Sequence, residues 1–179
     1  MAKFAYKLFK THDGKLFPLY VNAQQETPIG TWLQAVAGQK ADAGHVKSKL
    51  GPLAYRPGWH MASLPVARHI GKKSAGGGLV QAKDTVWCLV EIAGPDITEQ
   101  AHEMGYRATK KGVRRWAASR ACFTDGVHEG WYRYRTNTNA DPRLDWIIAG
   151  QIKVVRTLTP EEVRETCWTA GIEPQAMEE

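Results

Sequence analysis

Short apolar runs, some alternating with polar residues and some continuous, are separated along this chain by Gly, Pro and Asp. Phe4 to Phe9 and Leu16 to Val21 are two such runs, rich in aromatic residues, on either side of His12-Asp13-Gly14-Lys15. Asp-Gly between strand-like runs predicts a hairpin, because both central positions of a type I′ turn need positive φ. Thr85 to Ala93 (T-V-W-C-L-V-E-I-A) is the strongest strand pattern and is expected in the middle of a sheet. Trp131 to Arg135 alternates rings with guanidinium groups. As a strand it puts Trp131, Arg133 and Arg135 on one face and Tyr132 and Tyr134 on the other. Leu144 to Leu158 reads as a long strand or a strand pair, with Gly150 as its bulge or corner.

Helical spacing is confined to short stretches. Thr27-Pro28 is a cap followed by proline, and Ile29, Trp32, Leu33 and Val36 follow at helical spacing. Ser63 is placed to cap a helix over Leu64 to Ile70, ended by Gly71. Asp96-Ile97-Thr98-Glu99 is a capping box, with Asp96 as the cap, opening a helix to Met104 that Gly105 stops. Thr159-Pro160-Glu161-Glu162 opens a last helix, from Glu161 to about Trp168 and ended by Gly171. Between these elements, residues 38–51 and 72–83 are polar, basic and Gly-containing and are expected as flexible surface loops. The acidic tail, residues 172–179, is expected to fray. About six strands with short helices between them predict one α+β domain over residues 1–179. Its sheet is expected to be mixed but mainly antiparallel, with the short helices at its periphery.

Composition narrows the class. At 179 residues and 43% hydrophobic the chain is long enough for one real core. The net charge of +6 favours acidic partners such as nucleic acid or nucleotide phosphates, or else supplies solubility. Cys88, Cys122 and Cys167 are widely spaced with no C-x-x-C, which predicts reduced, structural thiols. The start, M-A-K-F-A-Y-K, has no apolar targeting core, and no run reaches membrane-spanning length, so a cytoplasmic protein without a membrane partner is expected.

Candidate chemistry gathers at Leu53 to Met61 (L-A-Y-R-P-G-W-H-M). Pro57 pushes Arg56 toward extended geometry, and Gly58 permits a bend or a close approach. Arg56 can grip a phosphate with two parallel hydrogen bonds, Trp59 can stack on a ring, and His60 can donate to an oxyanion or move a proton. Tyr132, Arg133, Tyr134, Arg135 and Asn137 carry matching chemistry on a second strand, so the two stretches are expected to face each other across a groove. The competing reading buries Trp59 and Trp131 in the core and turns the arginines outward. Lys72, Lys73, Lys110, Lys111, Arg114 and Arg115, with Trp116 among them, suit a nucleic acid or another acidic partner. The Gly76-Gly77-Gly78 run lacks the pattern of a phosphate-binding P-loop. The six histidines have no metal-ligand spacing and no nucleophile elbow is present, so neither a metal nor a cofactor is expected from the residues.

Several motifs together resemble a known family. Y-K-L-F-K, T-P-I-G-T-W-L, A-Y-R-P-G-W-H-M, G-W-Y-R-Y-R-T-N and W-I-I-A-G-Q-I-K-V-V-R-T-L resemble a domain of phages, prophages and other mobile elements that also occurs inside very large polyvalent phage proteins. The resemblance implies an accessory protein acting in the host cytoplasm. It would bind a nucleic acid–protein defence complex, as an anti-CRISPR or similar counter-defence inhibitor, or else dock as a structural domain onto other phage proteins. A weaker similarity is to the ADP-ribosyltransferase-like fold. It rests on the strand-then-helix stretch G-W-H-M-A-S-L-P-V-A-R-H-I and on L-D-W-I-I-A-G-Q-I-K-V-V. That similarity implies an NAD-using or nucleotide-modifying enzyme with His60 and Asp145 as its catalytic candidates. Asp145 stands where the fold carries a glutamate, and the opening strand offers only Lys7, Lys10 and His12.

Overall fold

The computed structural model describes residues 1–41, 45–48, 53–107, 122–139 and 141–179. The first hairpin forms as expected. β1 (Lys3–His12) and β2 (Lys15–Phe17) pair across Asp13 and Gly14, whose φ values are 48° and 73°. The helix expected after Thr27-Pro28 does not form. Trp32–Gln34 is instead an edge strand, β3, and the Gly30 N–H donates to the carbonyl of Val154. Apolar residues at helical spacing serve equally well when tertiary pairing claims their backbone, and here the edge of a sheet does so.

The polar stretch expected as a loop over residues 38–51 contributes to a small antiparallel sheet of β4 (Lys40–Ala41), β5 (His45–Val46) and β6 (Leu53–Ala54). β7 (Trp59–Ala62) follows. The helix expected over Leu64 to Ile70 is replaced by turns. Ser63 does not cap it. Its hydroxyl accepts the Asp145 N–H at 2.9 Å and its own N–H donates to the Asp145 carbonyl, which carries strand pairing one residue further. Lys72 to Lys83 also departs from expectation: β8 (Lys72–Lys73) and β9 (Leu79–Val80) make a hairpin.

β10 (Thr85–Ile92) is interior to the main sheet, as its sequence predicts. α1 (Thr98–Arg107) starts beside Asp96, whose carboxylate accepts the Thr98 N–H, and runs through Gly105 instead of stopping there. A glycine inside a helix costs only about 1 kcal/mol, too little to end a helix that packing supports. β11 (Trp131–Tyr134), β12 (Trp146–Ala149) and β13 (Gln151–Thr157) are the last strands among the described residues. α2 (Pro160–Thr169) carries the capping box in full. The Thr159 hydroxyl accepts the Glu162 N–H, and the Glu162 carboxylate accepts the Thr159 N–H. The tail does not fray. Ile172 is buried, the Glu178 N–H donates to the Gln81 carbonyl, and the Glu178 carboxylate meets Lys72 at 2.9 Å. The Lys83 N–H and Lys72 together hold the Glu178 carboxyl below its ordinary range.

The main sheet runs β11-β12-β7-β1-β10-β13-β3, with β2 attached to β1. Every ladder in it is antiparallel. Among the described residues the sheet is mainly antiparallel, as expected, with parallel pairing only at the isolated bridges of Ile29 with Val154 and of Asp96 with Trp131, and two short helices accompany it. It is also strongly curled. β12 and β13 are consecutive along the chain with Gly150 alone between them, yet they lie far apart in the strand order. The Trp59 indole N–H reaches the Leu33 carbonyl at 3.0 Å, joining β7 to β3 across the concave face.

Each face carries an apolar cluster. One gathers Ala5, Phe9, Cys88, Val90, Ile152 and Val154, and includes both Trp59 and Trp131. The other gathers Trp87, Tyr132, Tyr134, Trp146 and Ile148, with Ala101 of α1 and Cys167 of α2 over them. The two faces of β11 separate Trp131 and Arg133 from Tyr132 and Tyr134, as the alternation requires. All three cysteines are free and buried. Among the described residues, no helix is long and apolar enough to cross a membrane.

Candidate functional site

β1 and β7 share a single pair, Tyr6 with Ala62, and then diverge. The ammonium of Lys7 spans the gap and donates to the His60 carbonyl at 2.7 Å. At this split the protein forms a half-open cavity of about 580 Å³. That is within the range of small-molecule sites, roughly 300–1,000 Å³. Its walls come from β1, β7, the Tyr55–Gly58 approach, the 18–22 segment and Tyr134 to Thr138.

Alternation places Lys7 between Ala5 and Phe9 on the concave face, so a charged residue occupies a core position. The residue is only 8% exposed. Its ammonium lies 5.3 Å from the Phe9 ring and 5.6 Å from the Trp59 ring. Burial pulls its pKa down to about 8, against a small opposing effect of Cys88. A drop from 10.5 to about 8 corresponds to a cost of about 3 kcal/mol for holding the charge at neutral pH, at 1.36 kcal/mol per unit. The folded protein binds this proton less tightly than the unfolded chain does. Its contribution therefore favours folding increasingly as pH rises from about 8 to 10.5. A bound anion would relieve the same cost at neutral pH.

His60 is exposed toward the cavity, although protein atoms crowd its ring. Its Nε2 lies 2.7 Å from the Arg56 carbonyl, which can only accept, so Nε2 carries the proton. Nδ1 is then an acceptor facing the Tyr134 hydroxyl at 3.4 Å. Burial pulls the His60 pKa down to about 4. The Arg56 carbonyl opposes that shift, and the charges of Lys7 and Arg56 add to it. The ring is neutral at physiological pH and both nitrogens face protein groups. It braces the Arg56 turn.

Arg56 reaches the cavity with its guanidinium 5.2 Å over the Tyr134 ring. Its charge and hydrogen bonding oppose the upward pull of burial on both Tyr134 and Cys122. Among the described residues the wall has no aspartate or glutamate. Lys7 and Arg56 therefore give it a net positive charge, among the rings of Tyr20, Tyr55, Trp59, Trp87, Tyr134 and Trp146.

The residues expected to form one groove are thus divided. Arg56, Trp59, His60, Tyr134 and Asn137 do come together at the cavity. Trp59 is also core, as the competing reading held, and its N–H is engaged by Leu33. Tyr132 packs edge-on against Phe123 with centroids 5.6 Å apart, away from the cavity wall. Arg133 is exposed on the opposite face, 4.0 Å from Asp96. Arg135 donates to Asp145 at 2.9 Å and to the carbonyls of Pro142 and Asp141, so it clamps its own turn. Asp145 is held by that ion pair and does not line the cavity. Lys72 is bound to Glu178, and Lys73 lies on the exposed hairpin. Lys110, Lys111, Arg114, Arg115 and Trp116 lie outside the described residues.

Lys7, Tyr20, Tyr55 and Trp87 line the cavity without having been expected in the groove. A signal for Lys7 was present. A lysine in phase with Ala5 and Phe9 on an alternating strand must enter the core. The stretch that supports similarity to ADP-ribosyltransferases is a strand followed by turns, not by a helix. No protein-family model, curated protein or solved structure matches the chain.

Proposed function

We propose that this is a binding protein whose cavity holds a small anionic ligand bearing a flat ring, of the nucleotide class. The observation that carries the reading is the wall itself: Lys7 and Arg56 in a ring-lined cavity that, among the described residues, has no carboxylate. Arg56 supplies a permanent cation for the anion. The rings supply apolar area and stacking faces for the flat group. Capture is favoured over turnover, because His60 has both nitrogens engaged and Asp145 is committed to Arg135 outside the cavity. In a mobile-element accessory protein, withholding such a ligand from the host is a direct route to counter-defence. The ligand would be free, or the exposed phosphate end of a larger nucleic acid–protein complex.

Thermal unfolding with added ligands tests this reading. Adenosine monophosphate is expected to raise the Tm in a concentration-dependent way, and adenosine at equal concentration is expected to raise it far less. A ligand at a hundred times its Kd adds about 2.7 kcal/mol of stability. For a chain of this size that is roughly 5–10 °C. Equal shifts from the two compounds, or none from either, would remove the anion from the account.

A further inference from the structure

Lys7 lies in the wall of the cavity on the concave face of β1, a strand paired along its length with β10. Among the described residues its ammonium has one hydrogen-bond acceptor, the His60 carbonyl, and two aromatic neighbours. Among the described residues it has no carboxylate partner. A lysine kept only for stability would be better replaced by an apolar residue here, since the site costs it charge. A desolvated amine without a counter-ion, facing a ligand-sized cavity, is the arrangement that makes lysine a carbonyl-directed nucleophile.

We propose that Lys7 condenses reversibly with the aldehyde group of an anionic ligand held in this cavity, forming an imine. The proposal rests on the anion-binding reading and narrows the ligand to one with an accessible aldehyde. The lone pair on the neutral Nζ attacks the carbonyl carbon and gives a carbinolamine. The two protons of the amine leave with the carbonyl oxygen as water, and the C=N bond forms. No oxidant or reductant takes part. With the amine titrating at about 8, about a tenth of it is unprotonated at pH 7. Protonation of the imine restores a positive charge at the position the ammonium held, so the anion keeps its partner. Arg56 stays charged throughout and anchors the ligand's acidic group.

The test uses pyridoxal phosphate, which combines an aldehyde, a flat ring and a phosphate. The full-length protein is incubated with less than one equivalent at pH 7.5, reduced with borohydride, and analysed by intact mass and peptide mapping. No chain carrying more than one adduct is expected, and the adduct should be at least tenfold more abundant on Lys7 than on exposed Lys73 or Lys83 and be suppressed by excess adenosine monophosphate. Mapping on the unaltered chain needs no variant to fold. Lys7→Arg, checked for native circular dichroism, should lose the adduct. Labelling spread over the exposed lysines with Lys7 unmodified would overturn the proposal. If adenosine monophosphate still binds in that case, the imine alone fails. If it does not bind, the anion reading fails with it.

Discussion

Arg56→Gln is expected to weaken adenosine monophosphate binding by about a hundredfold, with a lower melting temperature of the unliganded protein from the loss of its contacts with Tyr134 and Cys122. Arg56 lies on the extended approach to β7, partly exposed, with its guanidinium at the cavity wall and over Tyr134. Hydrogen bonds to a charged partner are worth about 1.5–3 kcal/mol, and 2.7 kcal/mol is a hundredfold in Kd. Glutamine keeps much of the side-chain length and some donor capacity but removes the charge. Calorimetric titration of the variant beside the unaltered protein measures the difference. The variant's pH profile separates two roles. If Arg56 acts on the ligand, affinity falls at every pH. If it acted only by depressing His60, affinity would change only on the acid side and would rise there, because a ring that protonates more readily adds positive charge beside the anion.

Gly150→Ala is expected to destabilise the fold by about 3 kcal/mol or more, read as a lower urea midpoint and a Tm reduced by roughly 10 °C. Gly150 is the one residue between β12 and β13. Its N–H donates to Gly130 and its carbonyl accepts from Ala35, so two segments close on the corner. A Cβ there would run into the backbone carbonyl of His128. A backbone atom cannot swing aside as a long side chain can, so the corner has to open. The strands it joins, β12 and β13, sit on opposite sides of the sheet, and an opened corner loosens both clusters. Gly126→Ala is the control. A Cβ at Gly126 meets nothing within 4 Å, and its change should stay within about 0.5 kcal/mol.

These two residues also mark the reach of the sequence. The corner at Gly150, the Asp13-Gly14 turn, the strand over Thr85 to Ile92 and the capping box at Thr159 depend on local chemistry, and all of them are readable from neighbouring residues. The two missed helices were different. Ile29 to Val36 and Leu64 to Ile70 carry apolar residues at helical spacing, but β13 and Asp145 take up backbone groups of these stretches or of the residues flanking them. The partner in each case is more than 80 residues away in the chain, and nothing local announces it. The docked tail has the same cause: its acidic residues looked solvated because Lys72 and Gln81 are distant in sequence.

The site divides along the same line. The R-P-G-W-H stretch was recognisable from its composition, and Arg56, Trp59 and His60 do reach one cavity with Tyr134 and Asn137. Alternation alone could not distribute Arg133 and Arg135, because their partners Asp96, Asp141 and Asp145 are fixed by turns. Their withdrawal changes the chemistry of the site. A groove with three arginines would suit a polyphosphate or a nucleic acid strand. A half-open cavity with Arg56 and the buried Lys7 suits one small anion.

Isothermal titration of adenosine monophosphate at pH 7 and at pH 9.5, with adenosine as the uncharged control, tests the central claim most directly. Lys7 is charged at the first pH and largely neutral at the second, since it titrates at about 8. The account predicts that adenosine monophosphate binds at least tenfold more tightly than adenosine at pH 7, and that this advantage shrinks as pH rises through 8. Equal affinity for the two compounds at pH 7, or no binding of either, would contradict it.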